Sequence, residues 1–241
     1  METNIIYNES CLDTMKGFKD QSIDCVITSP PYNMNLRIRN GAYCSRQIVK
    51  EMSTKYDNFD DNLPIEDFYQ LHKSILSEIL RVSKIAFYNF QIVTGSKRAF
   101  FRMMGDFHEQ IKEMVIWDKV NAQPAMQTQL MNSQFEVILV LGDNPISRQF
   151  SKCNFDRGTL SNVWAIKRGK KKFKEHRAVF PEELVKQILT NFTDEGDIVY
   201  DPFLGTGTTA ICCQDMNRKY IGSEMIEKTF ELAKKRLDKE E

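Results

Sequence analysis

The alternation of short apolar segments with amphipathic ones constrains the fold of this chain more than any other feature. Segments rich in β-branched and aromatic residues predict strands, and they are Asn4–Tyr7, Asp24–Ile27, Ile85–Phe90, Met114–Trp117, Glu136–Leu141, Asp197–Tyr200 and Tyr220–Gly222. Strands that are apolar almost throughout are typical of a parallel sheet covered on both faces. We therefore expect an α/β fold with a doubly wound, mostly parallel sheet.

Three amphipathic segments predict helices that cover this sheet: Pro64–Val82, Pro181–Phe192 and Ser223–Leu237. The first has apolar residues at helical spacing, which place one stripe on one face: Phe68, Leu71, Ile75 and Ile79. A proline such as Pro181 suits a first helical turn. Ser223 is the candidate cap of the last helix.

Two polar segments interrupt this pattern, at 33–62 and 142–180. Neither has a helical or strand period, and long irregular segments inside a compact α/β chain are usually functional loops. We find no linker between independent domains. The 241 residues are thus predicted to form a single domain, 1–241, with an insertion at 142–180.

The composition predicts a cytoplasmic protein that neither spans a membrane nor binds a metal ion. Six cysteines have no CxxC spacing, which favours reduced, buried thiols over a metal site. The first ten residues lack the pattern of a signal peptide, and the longest apolar stretch, near Val137 to Leu141, is too short to span a bilayer. The formal net charge is zero, so binding to a polyanion requires a local patch.

A glycine loop follows the predicted strand Asp197–Tyr200. Gly205 and Gly207 allow a sharp turn and a close approach to a ligand, and a helix start follows them. A phosphate-binding P-loop is excluded, because no lysine follows the second glycine. Glu224, at the end of the next strand, can reach ribose hydroxyls. The loop predicts an adenosine-type ligand, and a dinucleotide or a purely structural turn are the alternatives.

A second loop ends the strand Asp24–Ile27. Pro30 and Pro31 remove two backbone donors and stiffen the segment, which leaves the Pro30 carbonyl free to accept beside the Ser29 hydroxyl. The ring of Tyr32 follows at once. Such a set suits a planar amine, since acceptors bind its N–H groups and a ring stacks on its base. A rigid turn with a core tyrosine is the alternative.

Together the two loops resemble the amino-methyltransferase family of DNA modification enzymes, which make N6-methyladenine or N4-methylcytosine. Thr28–Asn33 looks like its catalytic motif, Asp201–Thr209 like its cofactor loop, and His176–Pro181 like the segment that helps to hold the methionine end of the cofactor. The catalytic motif comes first, which is the order of the permuted β group. The resemblance covers nearly the whole chain.

The resemblance implies a Rossmann-like class I methyltransferase that uses S-adenosyl-L-methionine and acts on DNA, with a target-recognition insertion at 142–180. It assigns catalysis to Ser29, Pro30, Pro31 and Tyr32. It assigns cofactor binding to Asp201, Phe203, Gly205, Thr206, Gly207, Thr208, Glu224 and Phe180. In the family an early acidic residue contacts the cofactor adenine, and here Ser10 stands at the aligned position with Glu9 and Asp13 beside it.

A basic run predicts contacts with DNA phosphates. Six of the eight residues from Lys167 to Lys174 are lysine or arginine, and a solvated loop is the alternative. The candidate contacts are Lys167, Arg168, Lys170, Lys171 and Lys172, together with Arg37 and Arg39.

Several alternatives remain open at this point. Ser-Pro-Pro-Tyr favours N4-cytosine, whereas Asp-Pro-Pro-Tyr is typical of adenine enzymes, so N6-adenine is the runner-up. Remoter alternatives are an NAD-type oxidoreductase, an RNA or protein methyltransferase, and an inactive DNA-binding module. The chain is compatible with a homodimer in a prokaryotic or viral setting, and no sequence feature identifies a restriction partner.

Overall fold

The computed structural model describes residues 1–34, 36–39, 42–45, 63–124, 128–142, 147–168 and 180–238. For 36–39, 42–45 and 123 it describes the backbone alone. The candidate DNA contacts Lys170, Lys171 and Lys172 lie outside these ranges.

Within the described ranges the chain forms strands and helices that alternate along much of its length. They are β1 (Ile5–Tyr7), α1 (Cys11–Lys16), β2 (Ile23–Thr28), β3 (Leu36–Arg39), β4 (Ala42–Ser45), α2 (Ile65–Val82), β5 (Ser83–Phe90), α3 (Lys97–Asp106), β6 (Ile111–Gln123), β7 (Ser133–Gly142), β8 (Val163–Ala165), α4 (Glu182–Phe192), β9 (Ile198–Asp201), α5 (Thr208–Asp215), β10 (Lys219–Ser223) and α6 (Glu227–Leu237).

Eight of these strands form one sheet in the order β1-β10-β9-β2-β5-β7-β6-β8. The pairs from β1 to β5 are parallel, β7 is antiparallel to both its neighbours, and β8 is parallel to β6. The expected mostly parallel sheet is therefore confirmed. β3 and β4 form a separate antiparallel ribbon in a segment for which the sequence predicted no strand, and Arg37 and Arg39 lie on β3.

Helices cover both faces of the sheet, because successive strand residues point to opposite sides. Val26 belongs to a core cluster with the buried residues of α1, α2 and α3. Its neighbours Cys25 and Ile27 belong to a second cluster with α4 and the cysteines of α5. A third cluster joins α5 to α6. This arrangement is the doubly wound architecture that the sequence predicted.

All seven predicted strands and the three predicted helices are present, but the proposed cap of the last helix is wrong. Ser223 ends β10, where it is buried. Its hydroxyl lies 2.8 Å from the Tyr200 hydroxyl and 2.8 Å from the Thr14 hydroxyl. The last helix begins four residues later, after Ile226, without a side-chain cap. Ser223 therefore links β10 to β9 and to α1 in the core and does not start a helix.

The segment 142–180 is less irregular than its composition suggested. Val163–Ala165 adds β8 to the edge of the sheet beside β6. Trp164 and Ile166 are buried in the second core cluster, and Phe150, Phe155 and Leu160 pack against it. Much of the described part, 147–168, thus packs on the main sheet. Among the described residues no helix combines the length and apolar character needed to cross a bilayer.

Candidate active site

The two loops singled out in the sequence lie side by side, because they follow neighbouring parallel strands. β2 pairs with β9 through Cys25 with Val199 and Val26 with Tyr200. Both loops therefore leave the sheet at the same, carboxyl-terminal edge, where α/β folds bind their ligands. The Thr28 hydroxyl donates a hydrogen bond of 2.9 Å to the Asp201 carboxylate, which ties the two loops together directly.

One cleft opens between these loops and receives residues from both. From the first loop it takes Ser29 and Pro31, and from the second it takes Pro202, Phe203, Gly205 and Thr206. The remaining walls come from the first and last strands and the residues after them: Glu9, Cys11, Ser223, Glu224, Met225, Ile226 and Thr229. Residues of both loops therefore line one shared pocket.

Gly205 and Gly207 give the second loop its shape. Their φ angles are +57° and +87°, a left-handed region that glycine adopts without steric cost. A Cβ on Gly207 would lie 3.2 Å from the Cβ of Ala233, so this glycine also lets α6 approach the loop. Gly205 faces the cleft, and its N–H donates to the Glu224 carboxylate at 3.0 Å.

The cleft carries negative charge on the side of the last strand. Glu224 accepts from the backbone N–H groups of Gly205 and Ile226, at 3.0 and 2.8 Å. Burial nevertheless raises its pKa to about 7. Glu9 lines the same cleft and accepts from the Thr14 hydroxyl at 2.8 Å. Because carboxylates only accept hydrogen bonds, this wall favours a ligand that donates hydroxyl or amino hydrogens.

Asp201 supports the loop from behind. It is buried, and it accepts from the hydroxyls of Thr28 and Thr209 and from the N–H of Phe203. Burial raises the pKa of Asp201 to about 6, although these hydrogen bonds act in the opposite direction. Its carboxylate therefore shapes the cleft wall and is not among the residues that line the cleft.

Three other predicted cofactor residues also lie away from the cleft lining. Thr208 is buried at the start of α5, and Gly207 packs against α6. Phe180 packs edge to face on Trp117 with ring centroids 6.2 Å apart, within the second core cluster.

Glu9, which sequence reasoning named only as a neighbour of Ser10, is in the cleft. Ser10 instead caps α1, where its hydroxyl accepts from the Leu12 N–H at 3.3 Å. The residue that contacts the cofactor adenine stays a prediction. An acidic residue two positions after the end of β1 was the signal for Glu9 that the sequence offered.

A polar network lies behind Ser29 at the same strand ends. The Ser29 and Tyr32 hydroxyl oxygens are 2.7 Å apart, and Tyr32 Oη donates to Glu136 Oε2 at 3.1 Å. The Asn89 amide donates to Tyr32 Oη at 2.6 Å, to Glu136 Oε2 at 2.8 Å and to Ser29 Oγ at 3.2 Å. Lys119, with a side chain 1% exposed, pairs with Glu136 Oε1 at 3.3 Å. Sequence reasoning did not single out Asn89, Glu136 or Lys119.

The histidine at the first core cluster has a structural role. His72 is buried beneath Phe203, with ring centroids 6.4 Å apart, and its Nδ1 contacts the Tyr88 hydroxyl. Burial lowers the pKa of its imidazole to about 3. Among the described residues no group of three or more His, Cys, Asp or Glu side chains is placed to hold a metal ion.

Of the predicted DNA contacts, only Lys167 and Arg168 have described side chains. Both are exposed after β8, and Arg168 donates to the Asn121 carbonyl at the end of β6 at 3.3 Å. The basic run therefore starts at the sheet edge formed by β6 and β8.

Comparisons with known proteins agree with this geometry. A family model described as "DNA methylase", of the N6 and N4 type, matches residues 23–235. The Type II methyltransferase M.HinfI of Haemophilus influenzae is 26% identical, over 97% of this chain and 68% of its own length. Type II methyltransferase M.HpaI of Haemophilus parainfluenzae is also 26% identical, over 96% of this chain and 73% of its own.

A solved structure shows the same fold. The cytosine-N4-specific PvuII DNA methyltransferase superposes with a TM-score of 0.70 at 16% identity, over 98% of this chain and 86% of that one. The family match spans most of the chain and contains both loops of the cleft. The chain therefore belongs to the N6/N4 DNA methylase family, as its two loops predicted.

Proposed function

We propose that this protein transfers a methyl group from S-adenosyl-L-methionine to the exocyclic amino group of a base in DNA. The observation that carries the proposal is the single cleft in which Ser29 and Pro31 face Gly205 and Glu224. The loop of Ser29, here called the acceptor loop, and the loop of Gly205, here called the cofactor loop, can then act on the two reactants of one methyl transfer.

The residues of the cleft fit the cofactor. Glu224 and Glu9 offer carboxylate acceptors for the ribose hydroxyls and for an amino group, and they favour a cation over the pyrophosphate of a dinucleotide. When bound, the cofactor supplies a methyl group on a positively charged sulfur, which keeps the electron pair of the broken C–S bond. A solved M1.HpyAVI structure with this cofactor has the same fold, with a TM-score of 0.66 at 19% identity.

The acceptor loop would hold the amine. Ser29 Oγ and the Pro30 carbonyl can accept its two N–H groups, which localises the nitrogen lone pair for in-line attack. The amine would then attack the methyl group that the bound cofactor supplies, and its nitrogen would give up one proton to water. The target base must leave the helical stack at a cost of about a few kcal/mol, and Tyr32, which follows the acceptor residues in the same loop, is proposed to stack on it.

Ser29 at the acceptor position favours cytosine N4, and adenine N6 is the second candidate. The matching family model covers both N6 and N4 enzymes, so the choice of base rests on Ser29. The test is mass spectrometry of nucleosides from DNA incubated with the protein and labelled methyl donor. Labelled N4-methylcytosine is expected. Labelled N6-methyladenine would reverse the choice of base, and no labelled nucleoside would refute the function.

DNA would contact the basic residues that the sequence singles out. Lys167, Arg168, Arg37 and Arg39 are proposed phosphate contacts, with Lys170, Lys171 and Lys172 in the same run. The segment 142–180 is proposed as the target-recognition region, since the basic run begins in it, at Lys167 beside β6 and β8. DNase treatment should release the incorporated label, whereas release by RNase or protease alone would favour the RNA or protein alternatives.

A further inference from the structure

In the network behind Ser29, Glu136 Oε2 accepts from the Tyr32 hydroxyl at 3.1 Å and from the Asn89 amide at 2.8 Å. Either hydroxyl could be the donor in the 2.7 Å contact between Ser29 and Tyr32. Tyr32 has a single hydroxyl proton, and if that proton goes to Glu136, Ser29 is the donor in this contact. The Asn89 amide, which donates to both Tyr32 and Glu136, agrees with this assignment, since an amide oxygen could not face the carboxylate.

This assignment has a chemical consequence at Ser29. A serine hydroxyl has one proton and two lone pairs. Its proton points to Tyr32, and Asn89 reaches one lone pair at 3.2 Å. The other lone pair can accept an N–H from an amine in the cleft, which Ser29 lines. A hydroxyl that rotated freely could instead donate to the amine nitrogen and occupy the lone pair that must attack.

Lys119 binds the other carboxylate oxygen of Glu136. Its Nζ lies 3.3 Å from Glu136 Oε1, and the two side chains are 1% and 11% exposed. The three strands that carry Asn89, Glu136 and Lys119 are neighbours in the sheet, so the network is fixed by the fold.

We infer that Glu136 is a positioning residue that acts through Tyr32 to make Ser29 an obligate hydrogen-bond acceptor for the substrate amine. Ser29 then accepts a hydrogen bond from the amine, as a carboxylate at position 29 would do without help from Glu136. This inference rests on the proposed function and adds a residue that the two sequence motifs do not contain.

The test compares Glu136→Gln in two backgrounds. In the wild type the amide can donate as well as accept, so the proton order is lost, and we expect kcat to fall about 10- to 100-fold. In Ser29→Asp the acceptor is a carboxylate, which has no proton that must be turned away from the amine. Asp at position 29 and Glu136 would then both accept hydrogen bonds from Asn89 and Tyr32. There Glu136→Gln should leave kcat unchanged or raise it, because one of two adjacent charges is removed.

A second pair keeps the test decisive if Ser29→Asp is inactive. Tyr32→Phe retains the ring but removes the hydroxyl that links Ser29 to Glu136. Adding Glu136→Gln to Tyr32→Phe should then cause no further loss of kcat. Cofactor affinity by calorimetry and flipping of a fluorescent base analogue should be unchanged in Glu136→Gln, because Glu136 is not among the residues that line the cleft and the ring of Tyr32 is retained.

The outcomes separate the inference from the proposed function. An equal loss on Glu136→Gln in both backgrounds, additive losses with Tyr32→Phe, or full activity of Glu136→Gln would each overturn the role of Glu136 and leave the methyl transfer intact. A wild-type protein that transfers no methyl group to DNA would refute the proposed function itself.

Discussion

The Thr28 hydroxyl and the Asp201 carboxylate, 2.9 Å apart, join the end of β2 to the end of β9 and thereby hold the two loops of the cleft in register. Asp201 also accepts from Thr209 at 2.6 Å and from the Phe203 N–H at 3.0 Å. A single buried carboxylate thus satisfies donors from a strand, a loop and a helix. The relative position of the acceptor loop and the cofactor loop depends on it.

Asp201→Ala should destabilise the protein and weaken cofactor binding. It leaves three donors without their acceptor, and each buried unsatisfied group costs about 1–3 kcal/mol. We expect the free energy of unfolding to fall by about 2–4 kcal/mol, less than the simple sum because the cost of burying the carboxylate also disappears. Urea denaturation and calorimetry with the cofactor measure the two effects.

Thr28→Val is the matched control, since it removes one donor and leaves Asp201 with two. Its loss should be about 1 kcal/mol. If Asp201→Ala were no more destabilising than Thr28→Val, the carboxylate would not be the element that joins the loops.

Gly207→Ala should cost more than Gly158→Ala, although both glycines have similar left-handed φ angles of +87° and +81°. The backbone strain of about 1–2 kcal/mol is common to both. Only at Gly207 does the new Cβ meet a neighbour, the Cβ of Ala233 at 3.2 Å, whereas Gly158 has open space. Thermal unfolding of both variants isolates the contact. Equal losses of stability in the two variants would show that α6 moves to accommodate the new Cβ and that the close packing at Gly207 does not contribute to stability.

Cofactor binding should depend on pH through Glu224. Its pKa is raised to about 7, chiefly by burial, so in the ligand-free protein it is largely protonated below that pH. Ribose hydroxyls and a cation favour the ionised form, and binding must then release a proton. The association constant should rise by up to about tenfold per pH unit below pH 7 and level off above it.

Calorimetry at several pH values checks this dependence, and Glu224→Gln is the control. The amide does not titrate, so its affinity should be lower and flatter between about pH 5 and pH 7. A wild-type affinity that stays constant over this range would mean that Glu224 does not contact the cofactor.

The raised pKa of Glu224 makes folding stability fall with rising pH, whereas it makes cofactor affinity rise. A carboxyl whose pKa is raised on folding binds its proton more tightly in the folded chain. Glu224 and Asp201, with a pKa of about 6, therefore make the ligand-free protein less stable as pH rises from their ordinary values through 6 to 7. Buried His72, with its pKa lowered to about 3, opposes this trend below pH 6.5.

The sequence was sufficient to predict the sheet and the shared cleft, because these depend on local pattern. Apolar strands followed by loops at Ser29 and Gly205 imply a common edge once the sheet is parallel. The network of Asn89, Glu136 and Lys119 depends instead on how β5, β7 and β6 pair. In an antiparallel arrangement, one residue of slip would turn Glu136 away, and periodicity does not fix that register.

Two further differences have equally physical causes. β8 is three residues long and lies inside a segment of polar composition, and it is stabilised by pairing with β6 and by the burial of Trp164 in the second core cluster. Phe180 was assigned to cofactor binding through the resemblance of His176–Pro181 to a family segment, and that role stays a prediction. Its ring packs on Trp117, a contact between residues far apart in the chain that order cannot anticipate.

Binding to DNA should become less sensitive to salt when the start of the basic run is neutralised. Lys167→Gln with Arg168→Gln removes two charges beside β8, and each lost phosphate contact lowers the slope of log K against log salt concentration by about 0.9.

The matched control is Lys234→Gln with Lys235→Gln, two exposed charges on α6. α6 packs beside β1, at the opposite edge of the sheet from β8. Fluorescence anisotropy over a salt series should show a reduced slope, by about 2 in total, only in the first pair. If both double variants change the slope equally, Lys167 and Arg168 make no direct phosphate contacts, and their positive charges act only through the net charge of the protein.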